Sequence, residues 1–483
     1  MKNLELYCVK KDASLLECLK NLNLGTEGIV LILDKKKLVG ILTDGDLRRL
    51  ILKNVNFNNS AFQYSNKKFI FSYENEPTKI KLSKLSKVIK QLPILNENRE
   101  LKDLLTLNDL LLINISNPDI SDNEKKYVLD ALNSGWISSN GDYVNKFEKE
   151  LLNYISRENK KLYLTTTSSG TSALELVLKS FNLKEGDEII VPTITFGATA
   201  NSVINVGAKP VFVDVDLTTF NLDINEIRKA ITSQTKAIII VHLYGNPVNI
   251  HKIKTLCKEH KLLLFEDAAE ALGSKYKNQY CGTFGDASVF SFYANKLITT
   301  GEGGAAVFKN KKYYDIALSI KNHGMDKKRK YWHNIVGSNY RLTNIQAALG
   351  LAQMEKIDYF LKSRNIVYNI YHNFFEKSND FIVPKIINEG VSSYWLYPIL
   401  AKPSNLEIFK ALLKHLKNDS IETRPIFPPL HIQDAFRNYR INDLKVSETY
   451  FSNGICLPLF NNMSKNEIER IKNSLTRFFN EIN

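Results

Sequence analysis

Residues 285–308 have the sequence GDASVFSFYANKLITTGEGGAAVF, in which one lysine, Lys296, stands between an apolar run and a glycine-rich turn. Residues 289–293 predict a buried strand, and GEGG at 301–304 allows a tight reversal before a second strand, AAVF. A lysine at a strand end beside glycines can be held at a cleft, where partial desolvation lowers its pKa and frees an amine able to form a Schiff base. Lys296 is therefore a candidate catalytic nucleophile.

The length and composition limit what kind of protein this can be. A chain of 483 residues is too long for one core and predicts about two or three domains. No segment approaches about 18 uninterrupted apolar residues, and residues 1–14 lack the apolar region of a signal peptide. We therefore expect a cytoplasmic protein without a membrane-bound part.

Cysteine spacing and charge exclude two further classes. The five cysteines are scattered singly, which predicts neither a metal site nor a disulfide framework. The formal net charge is +14, but the basic residues are distributed along the chain and form no long basic run interleaved with aromatic residues. We expect no nucleic-acid partner.

Residues 1–112 contain an internal repeat. In the first copy, a helical pattern at 13–25 precedes an apolar strand at 28–34 and then KLVGILTDGDLRRLI, a strand that runs into a helix. About sixty residues later, LPILNENRELKDLLTLNDLL at 92–111 repeats the arrangement and aligns Thr106-x-x-Asp109 with Thr43-x-x-Asp46. This region resembles a tandem pair of CBS domains.

The resemblance implies that each Thr-x-x-Asp turn presents a hydroxyl and a carboxylate to the ribose of an adenine nucleotide. An alternative is that Thr43 and Thr106 merely cap the helices that follow, since threonine and aspartate are favoured at helix N-termini. Pairing between subunits is a third role for this module. The linker is expected at 113–124, where Asn-Pro is followed by a capping box, Ser121-x-x-Glu124.

From residue 125 onward, apolar strands alternate with helical patterns. The strands are YLTTTSS, EIIVP, PVFVDV, AIIIVHLYG and LLLFED. Such alternation predicts an α/β fold with a doubly wound, mostly parallel sheet, in which ligands bind at the carboxyl ends of the strands.

Three candidate binding positions follow these strands. Gly170 and its neighbours in TTTSSGTSAL precede a helix, where amide and hydroxyl groups either bind a phosphate or only cap the helix. Asp267 ends a very apolar strand, so its carboxylate must reach the cleft or find a buried partner. In the cleft it can hold the protonated ring nitrogen of pyridoxal phosphate. Phe196 offers a flat face for a cofactor ring, although a lone aromatic residue there also fits a core position.

In combination, these positions have the order and spacing of fold type I pyridoxal phosphate enzymes. Residues 117–483 resemble the DegT/DnrJ/EryC1/StrS sugar aminotransferases. The segments that support the resemblance are GWISSNGDYV (135–144), SSGTSAL, VPTITFGATAN, VHLYGNP (241–247), EDAAEALGSKYK, GTFGDASVFSFYANKLITTGEGG, YWHNIVGSNYRLTNIQAALGLAQ (331–353) and IETRPIFPPLH (421–431). The resemblance implies an aspartate aminotransferase-like large domain at 125–360 and a small α/β domain at 361–483.

The resemblance also implies roles around the cofactor ring. Lys296 forms the Schiff base with pyridoxal phosphate and later moves a proton between the cofactor carbon and the sugar carbon. Asp267 keeps the pyridine nitrogen protonated, Glu270 lies near the ring hydroxyl, and Phe196 stacks on the ring. One branch of this family, the sugar 3-dehydratases, has histidine at the lysine position, so Lys296 favours transamination over dehydration.

Further residues are implied for the phosphate and the sugar. Gly170, Thr171 and Ser291 hold the phosphate, and Asn339 reaches it from the neighbouring subunit, which makes a homodimer part of the active site. Arg424 and His431 help to shape the sugar pocket, although PIFPPLHIQ at 425–433 departs from the usual family pattern.

The expected reaction has two halves and one open question. L-glutamate converts the cofactor to pyridoxamine phosphate, which then aminates C4 of a nucleotide-linked 4-keto-6-deoxy sugar. GDP-4-keto-6-deoxymannose is favoured, while UDP- and dTDP-linked sugars remain alternatives because pocket loops decide between them. A second hypothesis is an inactive, nucleotide-sensing regulatory protein.

Overall fold

A computed structural model describes residues 4–25, 27–86, 88–156, 161–326, 328–439 and 444–482. Contacts divide the chain into two compact units. The N-terminal unit comprises residues 1–113, 412–422 and 465–480, and the larger unit comprises residues 114–411, 423–464 and 481–483.

The N-terminal unit begins with two copies of one small α/β arrangement. Its strands are β1 (Cys8–Lys10), β2 (Ile29–Asp34), β3 (Lys37–Thr43), β4 (Ser72–Tyr73), β5 (Gln91–Leu95) and β6 (Leu101–Thr106). Its first helices are α1 (Leu15–Leu24), α2 (Asp44–Leu52), α3 (Ala61–Tyr64), α4 (Thr78–Lys84) and α5 (Leu107–Leu110).

The two copies have the same sheet topology. Strand β1 pairs in parallel with β2, which pairs antiparallel with β3, and the order β4, β5, β6 repeats this pattern. In each copy the last strand ends at a threonine, Thr43 or Thr106, and a helix begins at the next residue. The internal repeat seen in the sequence is thus a structural repeat.

The larger unit is built on alternating strands and helices. Its helices are α6 (Asp122–Asn133), α7 (Asp142–Ile155), α8 (Gly170–Ser180), α9 (Ala198–Asn205), α10 (Ile224–Ala230), α11 (Ile250–His260), α12 (Lys311–Lys321), α13 (Asn344–Met354), α14 (Ile357–Phe375), the first half of α15 (Leu406–Asn418) and α16 (Lys445–Tyr450). Its strands are β7 (Tyr163–Thr167), β8 (Glu188–Pro192), β9 (Lys209–Val213), β10 (Thr235–Val241), β11 (Leu263–Asp267), β12 (Lys275–Tyr276), β13 (Gln279–Tyr280), β14 (Ala287–Ser291), β15 (Gly304–Phe308), β16 (Phe381–Ile382), β17 (Gly390–Val391), β18 (Tyr397–Ala401), β19 (Arg424–Pro425) and β20 (Gly454–Leu457).

Seven of these strands form the central sheet, in the order β7-β15-β14-β11-β10-β8-β9. All neighbours are parallel except β15, which is antiparallel to both β14 and β7. The strands are apolar along their length because helices cover both faces, and separate buried clusters form on the two sides. The predicted fold class, a doubly wound and mostly parallel sheet, is confirmed.

The strand that carries the opening motif is shorter than predicted. β14 ends at Ser291, whereas the sequence pattern extended the strand to Tyr293. Phe292 is fully buried and its amide still donates to the Gly303 carbonyl, but Tyr293 is half-exposed because the chain turns there. In the predicted reversal, Gly301 has φ +79°, a conformation that favours glycine.

Two later segments belong to the N-terminal unit. Residues 412–422 include the second half of α15, and residues 465–480 form most of the last helix, α17 (Lys465–Ile482). In this unit the Asn466 amide donates to an Asp109 carboxylate oxygen at 3.0 Å, and Arg470 donates to the Leu111 carbonyl at 2.9 Å. Both segments lie within the C-terminal domain predicted at 361–483.

Candidate active site

The candidate site lies where β11 and β14 end side by side. These strands are parallel neighbours, with Asp267 paired to Val289, so Asp267 and Ser291 emerge at the same edge of the sheet. Each strand is apolar until its last residues because it crosses the core, and polar side chains follow where the chain leaves the sheet. This is the edge at which ligands bind in open α/β sheets.

Asp267 is buried and held by two donors. The Thr199 hydroxyl donates to Oδ2 at 2.7 Å, and the Ala269 amide donates to Oδ1 at 3.1 Å. Burial raises the pKa of Asp267, and these hydrogen bonds oppose the rise. A buried carboxylate with so few donors is suited to a cationic partner, such as the protonated nitrogen of a heteroaromatic ring.

Lys296 lies in the loop after β14, next to a second buried carboxylate. Its Nζ is 3.7 Å from Glu270 Oε1, and the other oxygen of Glu270 accepts a 2.8 Å hydrogen bond from the Tyr244 amide. Burial lowers the pKa of Lys296, and the negative charges of Glu270 and Asp267 oppose this change. Burial raises the pKa of Glu270 to about 7, while the charge of Lys296 opposes that rise.

A cradle of small residues faces the start of α8. Ser169 caps this helix, and a Cβ added at Gly170 would lie only 2.9 Å from Ser291 Cβ. A Cβ added at Gly304 would lie 2.7 Å from the Gly170 nitrogen. The first amides of a helix have no partner within the helix, and they attract anions. Glycine at these two positions therefore lets β14 and β15 pack directly against the start of α8, which brings the Ser291 hydroxyl close to the first amides of this helix.

These features open into one cavity of about 540 Å³. It is lined by eight of the residues predicted from sequence: Gly170, Thr171, Phe196, Asp267, Glu270, Ser291, Lys296 and Arg424. A phosphate cradle, an acid for a ring nitrogen and a buried lysine fit pyridoxal phosphate. The volume is in the range of small-molecule sites.

Two predicted site residues do not line the cavity. His431 is buried, with Nδ1 2.6 Å from the Thr193 hydroxyl and Nε2 2.8 Å from a Glu448 carboxylate oxygen. Both ring nitrogens are thus occupied, so the geometry gives no support to its predicted role at the sugar. Asn339 is exposed, and its Oδ1 accepts a 2.9 Å hydrogen bond from Arg341 Nε. Its role toward a second subunit stays a prediction.

The structure adds residues that the sequence reasoning missed. Tyr244, Trp395 and Phe427 form a stacked aromatic wall, with a 5.5 Å distance and a 6° angle between the rings of Tyr244 and Phe427. Tyr244 lies in VHLYGNP, a segment that was noticed without a role being given to this side chain. Thr199 lies in the first turn of α9, three residues after Phe196, and its place just after a strand end is the available signal.

A second cavity, of about 1410 Å³, lies within the N-terminal unit. Thr43, Thr106 and Asp109 line it, together with Asn466 and Arg470 of α17, whereas Asp46 does not. Each Thr-x-x-Asp pair forms a capping box, in which the threonine hydroxyl donates to the aspartate at 2.6 or 2.7 Å.

Within the described residues, no group of three or more His, Cys, Asp or Glu side chains is arranged to hold a metal ion. None of the helices in the described ranges has the length and apolar character needed to span a membrane.

Family models match two parts of the chain. A model described as the DegT/DnrJ/EryC1/StrS aminotransferase family matches residues 118–476. A CBS domain model matches residues 1–53, the first copy of the N-terminal repeat.

Individual proteins match the same larger part. The chain is 41% identical over 370 residues to GDP-perosamine synthase of Escherichia coli O157:H7, covering 76% of this chain and 99% of that protein. It is 36% identical to GDP-perosamine synthase of Vibrio cholerae, covering 76% of this chain and all of that protein.

Solved structures agree with these matches. Helicobacter pylori PseC, an aminotransferase of pseudoaminic acid biosynthesis, superposes with a TM-score of 0.72 at 31% identity, covering 77% of this chain and all of that one. The pyridoxal phosphate form of the sugar aminotransferase Spr1654 from Streptococcus pneumoniae superposes with a TM-score of 0.71 at 28% identity, again covering 77% of this chain and all of that one.

Proposed function

The chain belongs to the DegT/DnrJ/EryC1/StrS aminotransferase family, and from this premise we propose that it aminates C4 of a nucleotide-linked 4-keto-6-deoxy sugar. The amino group comes from L-glutamate, and GDP-4-keto-6-deoxymannose is the favoured acceptor because two relatives at 36 and 41% identity are GDP-perosamine synthases. The enzyme depends on pyridoxal phosphate, as its family does. We place the reaction in the cytoplasm, where it supplies an amino sugar for surface polysaccharide.

The observation that supports this proposal is the convergence of Asp267, Glu270 and Lys296 in one cavity beside the glycines at the start of α8. Burying two carboxylic acids near one lysine costs free energy unless each acid has a charged partner or a hydrogen-bond partner. A protein that only scaffolds or senses has no chemical need for this arrangement.

Bound in the cavity, pyridoxal phosphate supplies a reactive aldehyde carbon and a ring that accepts electrons. Asp267 would hold the proton on the ring nitrogen. The amides of Gly170 and Thr171 and the hydroxyl of Ser291 would bind the phosphate, and Phe196 would pack against the ring.

Lys296 and Glu270 are placed to transfer protons during the reaction. Burial favours the neutral amine of Lys296, which can therefore take a proton from Cα of glutamate and, in the second half-reaction, deliver one to C4 of the sugar. Glu270, with a pKa of about 7, can hold or release a proton beside it near neutral pH. Arg424 lies at the same cavity and offers a cation to an anionic substrate.

The test is spectroscopic and then chemical. Purified protein supplied with pyridoxal phosphate is expected to develop a visible absorption band that L-glutamate bleaches. Adding GDP-, UDP- or dTDP-linked 4-keto-6-deoxy sugars separately should restore the band only with the true acceptor, and mass spectrometry should find the amino product. A protein that binds no pyridoxal phosphate, or is not bleached by glutamate, would favour the inactive, sensing alternative.

We also propose that two subunits share each active site. Residues 331–336 expose Tyr331, Trp332 and Val336, the last at 98%, and such contiguous apolar exposure is typical of an interface. Asn339 follows directly and does not line the cavity of its own chain.

Subunit mixing tests the shared site. Lys296→Ala and Asn339→Asp proteins, each inactive alone, should regain about a quarter of wild-type activity when unfolded together and reassembled, because half of the dimers then contain one intact site. No recovery, despite dimers in solution, would contradict a shared site.

For the N-terminal unit we propose binding of an adenine nucleotide. The cavity of about 1410 Å³ presents Thr43, Thr106 and Asp109 at its lining, where the CBS resemblance expects ribose contacts. Calorimetric titration with ATP, ADP, AMP and S-adenosylmethionine tests this directly. If none binds, the Thr-Asp pairs act only as helix caps.

A further inference from the structure

The ring of Trp395 contacts the amine of Lys296. The Nζ atom lies 3.7 Å from the centroid of the Trp395 ring, well within the distance at which an ammonium ion is attracted to an aromatic face. Trp395 is buried and only 13% of the Lys296 side chain is exposed, so water screens this attraction weakly. Tryptophan is the aromatic residue that binds cations best in this way.

Several contacts fix the Trp395 ring relative to the lysine loop. Its Nε1 donates a 2.9 Å hydrogen bond to the carbonyl of Asn295, the residue directly before Lys296. Its backbone amide donates to the Tyr244 carbonyl at 3.2 Å, and its ring stacks on the Tyr244 ring at 6.0 Å and 13°. These contacts fix the position of the Trp395 ring relative to the loop that carries Lys296.

The same tyrosine also orients the acid next to the lysine. The Tyr244 amide donates to Glu270 Oε2 at 2.8 Å, while Glu270 Oε1 is 3.7 Å from Lys296 Nζ. The charged form of Lys296 is thus favoured by the Trp395 ring and by the carboxylates of Glu270 and Asp267, whereas the charge of Arg364 opposes it. Tyr244 contacts both Glu270 and Trp395.

We propose that the Trp395 ring is the resting place of the Lys296 ammonium whenever this lysine is not covalently bound, which makes Trp395 a positioning residue. The inference rests on the proposed transamination, in which Lys296 must be released, hold a proton and return. The charged form is attracted to the ring. When Nζ gives up its proton the attraction is lost, so the neutral amine is free to leave the ring and react.

The experiment uses apoprotein, so that it does not depend on turnover. The rate at which a small amine-reactive acylating reagent labels Lys296, followed by peptide mass spectrometry across pH, reports the pKa of Lys296. In Trp395→Leu this pKa is expected to fall by about one pH unit, and in Trp395→Phe by less, because phenylalanine keeps a weaker ring face.

Phe427→Leu is the matched control. Phe427 belongs to the same aromatic wall, and its ring lies 6.4 Å from that of Trp395. The Nζ atom of Lys296, however, lies over the ring of Trp395. This variant should leave the pKa of Lys296 within about 0.3 of the wild-type value. If Phe427→Leu lowers it as much as Trp395→Leu does, the effect is one of packing and the proposal fails.

Kinetics give a second, separable result. With glutamate, Trp395→Leu should lose about tenfold in kcat with little change in KM, and Trp395→Phe should recover part of the loss. An unchanged pKa of Lys296 in both Trp395 variants would overturn the role of Trp395 while wild-type transamination stands. A wild-type protein that neither binds pyridoxal phosphate nor transaminates would instead overturn the proposed function.

Discussion

The two cavities differ in what their polar side chains are bonded to. In the N-terminal unit, each aspartate of a Thr-x-x-Asp pair accepts hydrogen bonds from the threonine three residues earlier. In the larger unit, Glu270 and Lys296 come from different parts of the chain and lie 3.7 Å apart, and each opposes the shift that burial imposes on the other's pKa.

The difference shows how to weigh a short motif. A capping box is sufficient to explain the Thr-Asp pairs, because it stabilises the helix that follows whether or not a ligand binds. No capping box accounts for Asp267, Glu270 and Lys296, and burying such groups costs free energy unless they are paired or hydrogen-bonded. Four substitutions test this contrast.

Lys296→Ala is expected to have the largest effect. Transamination with glutamate should fall by at least about 10³-fold, because no other group replaces the nucleophile, and the visible absorption of bound cofactor should disappear. The matched control is Lys258→Ala, which removes an exposed lysine of α11. If Lys296→Ala still transaminates, Lys296 is not the nucleophile, and the proposed chemical difference between the two cavities is contradicted.

Asp267→Asn should lose about 10²-fold in kcat. The amide cannot hold the proton on the ring nitrogen, since it lacks the negative charge that stabilises a protonated ring. Thr199→Val, which removes only the 2.7 Å hydrogen bond to Asp267, should lose less. Single-turnover absorbance with glutamate measures both; an Asp267→Asn rate within about threefold of wild type would contradict the assigned role.

Glu270→Gln should change how stability depends on pH. Burial raises the pKa of Glu270 from 4.5 to about 7 in the folded protein, so between these values the folded state binds the extra proton. Wild-type stability relative to Glu270→Gln is therefore greatest below pH 4.5 and falls by about 1 to 3 kcal/mol as pH rises to about 7.

Thermal unfolding of apoprotein at several pH values measures this difference. The gap between the two proteins should stop changing above about pH 8, where Glu270 is ionised in both states. Parallel curves across the whole range would mean that Glu270 titrates normally in the folded protein.

Thr43→Val should have the smallest effect, a loss of about 1 kcal/mol in the stability of the N-terminal unit. The valine cannot accept from the Asp46 amide or donate to its carboxylate, so the cap of α2 is lost. Thr43→Ser keeps the hydroxyl and should unfold like wild type. Equal stability of the valine and serine variants would show that the capping box contributes nothing, and would shift the explanation of the pair toward a ligand.

Much of the larger unit could be predicted because its signals are local. The apolar runs at 188–192 and 262–267 form β8 and β11 to within one residue, since a strand buried on both faces must be largely apolar. Asp267 and Lys296 were identified because a charged side chain at the end of such a run is conspicuous. The family resemblance then implied that these two residues belong to one site.

The rest depends on contacts that no local pattern reports. Trp395 and Tyr244 look like ordinary core aromatic residues in sequence, and only the fold brings the Trp395 ring within 3.7 Å of an amine. The two nitrogens of His431 are occupied by Thr193 and Glu448, neither of which is near it in the sequence pattern. These contacts were not predicted because they join residues that are far apart in sequence.

Helix α17 has a consequence for the order of synthesis. The helix lies within residues 118–476 of the family match for most of its length, yet it completes the N-terminal unit through Asn466 and Arg470. A ribosome makes residues 1–113 before most of the larger unit and reaches α17 on the order of tens of seconds later. During that interval the nascent N-terminal unit lacks the helix whose Asn466 and Arg470 bond to Asp109 and Leu111, so this flank stays uncovered until α17 is made.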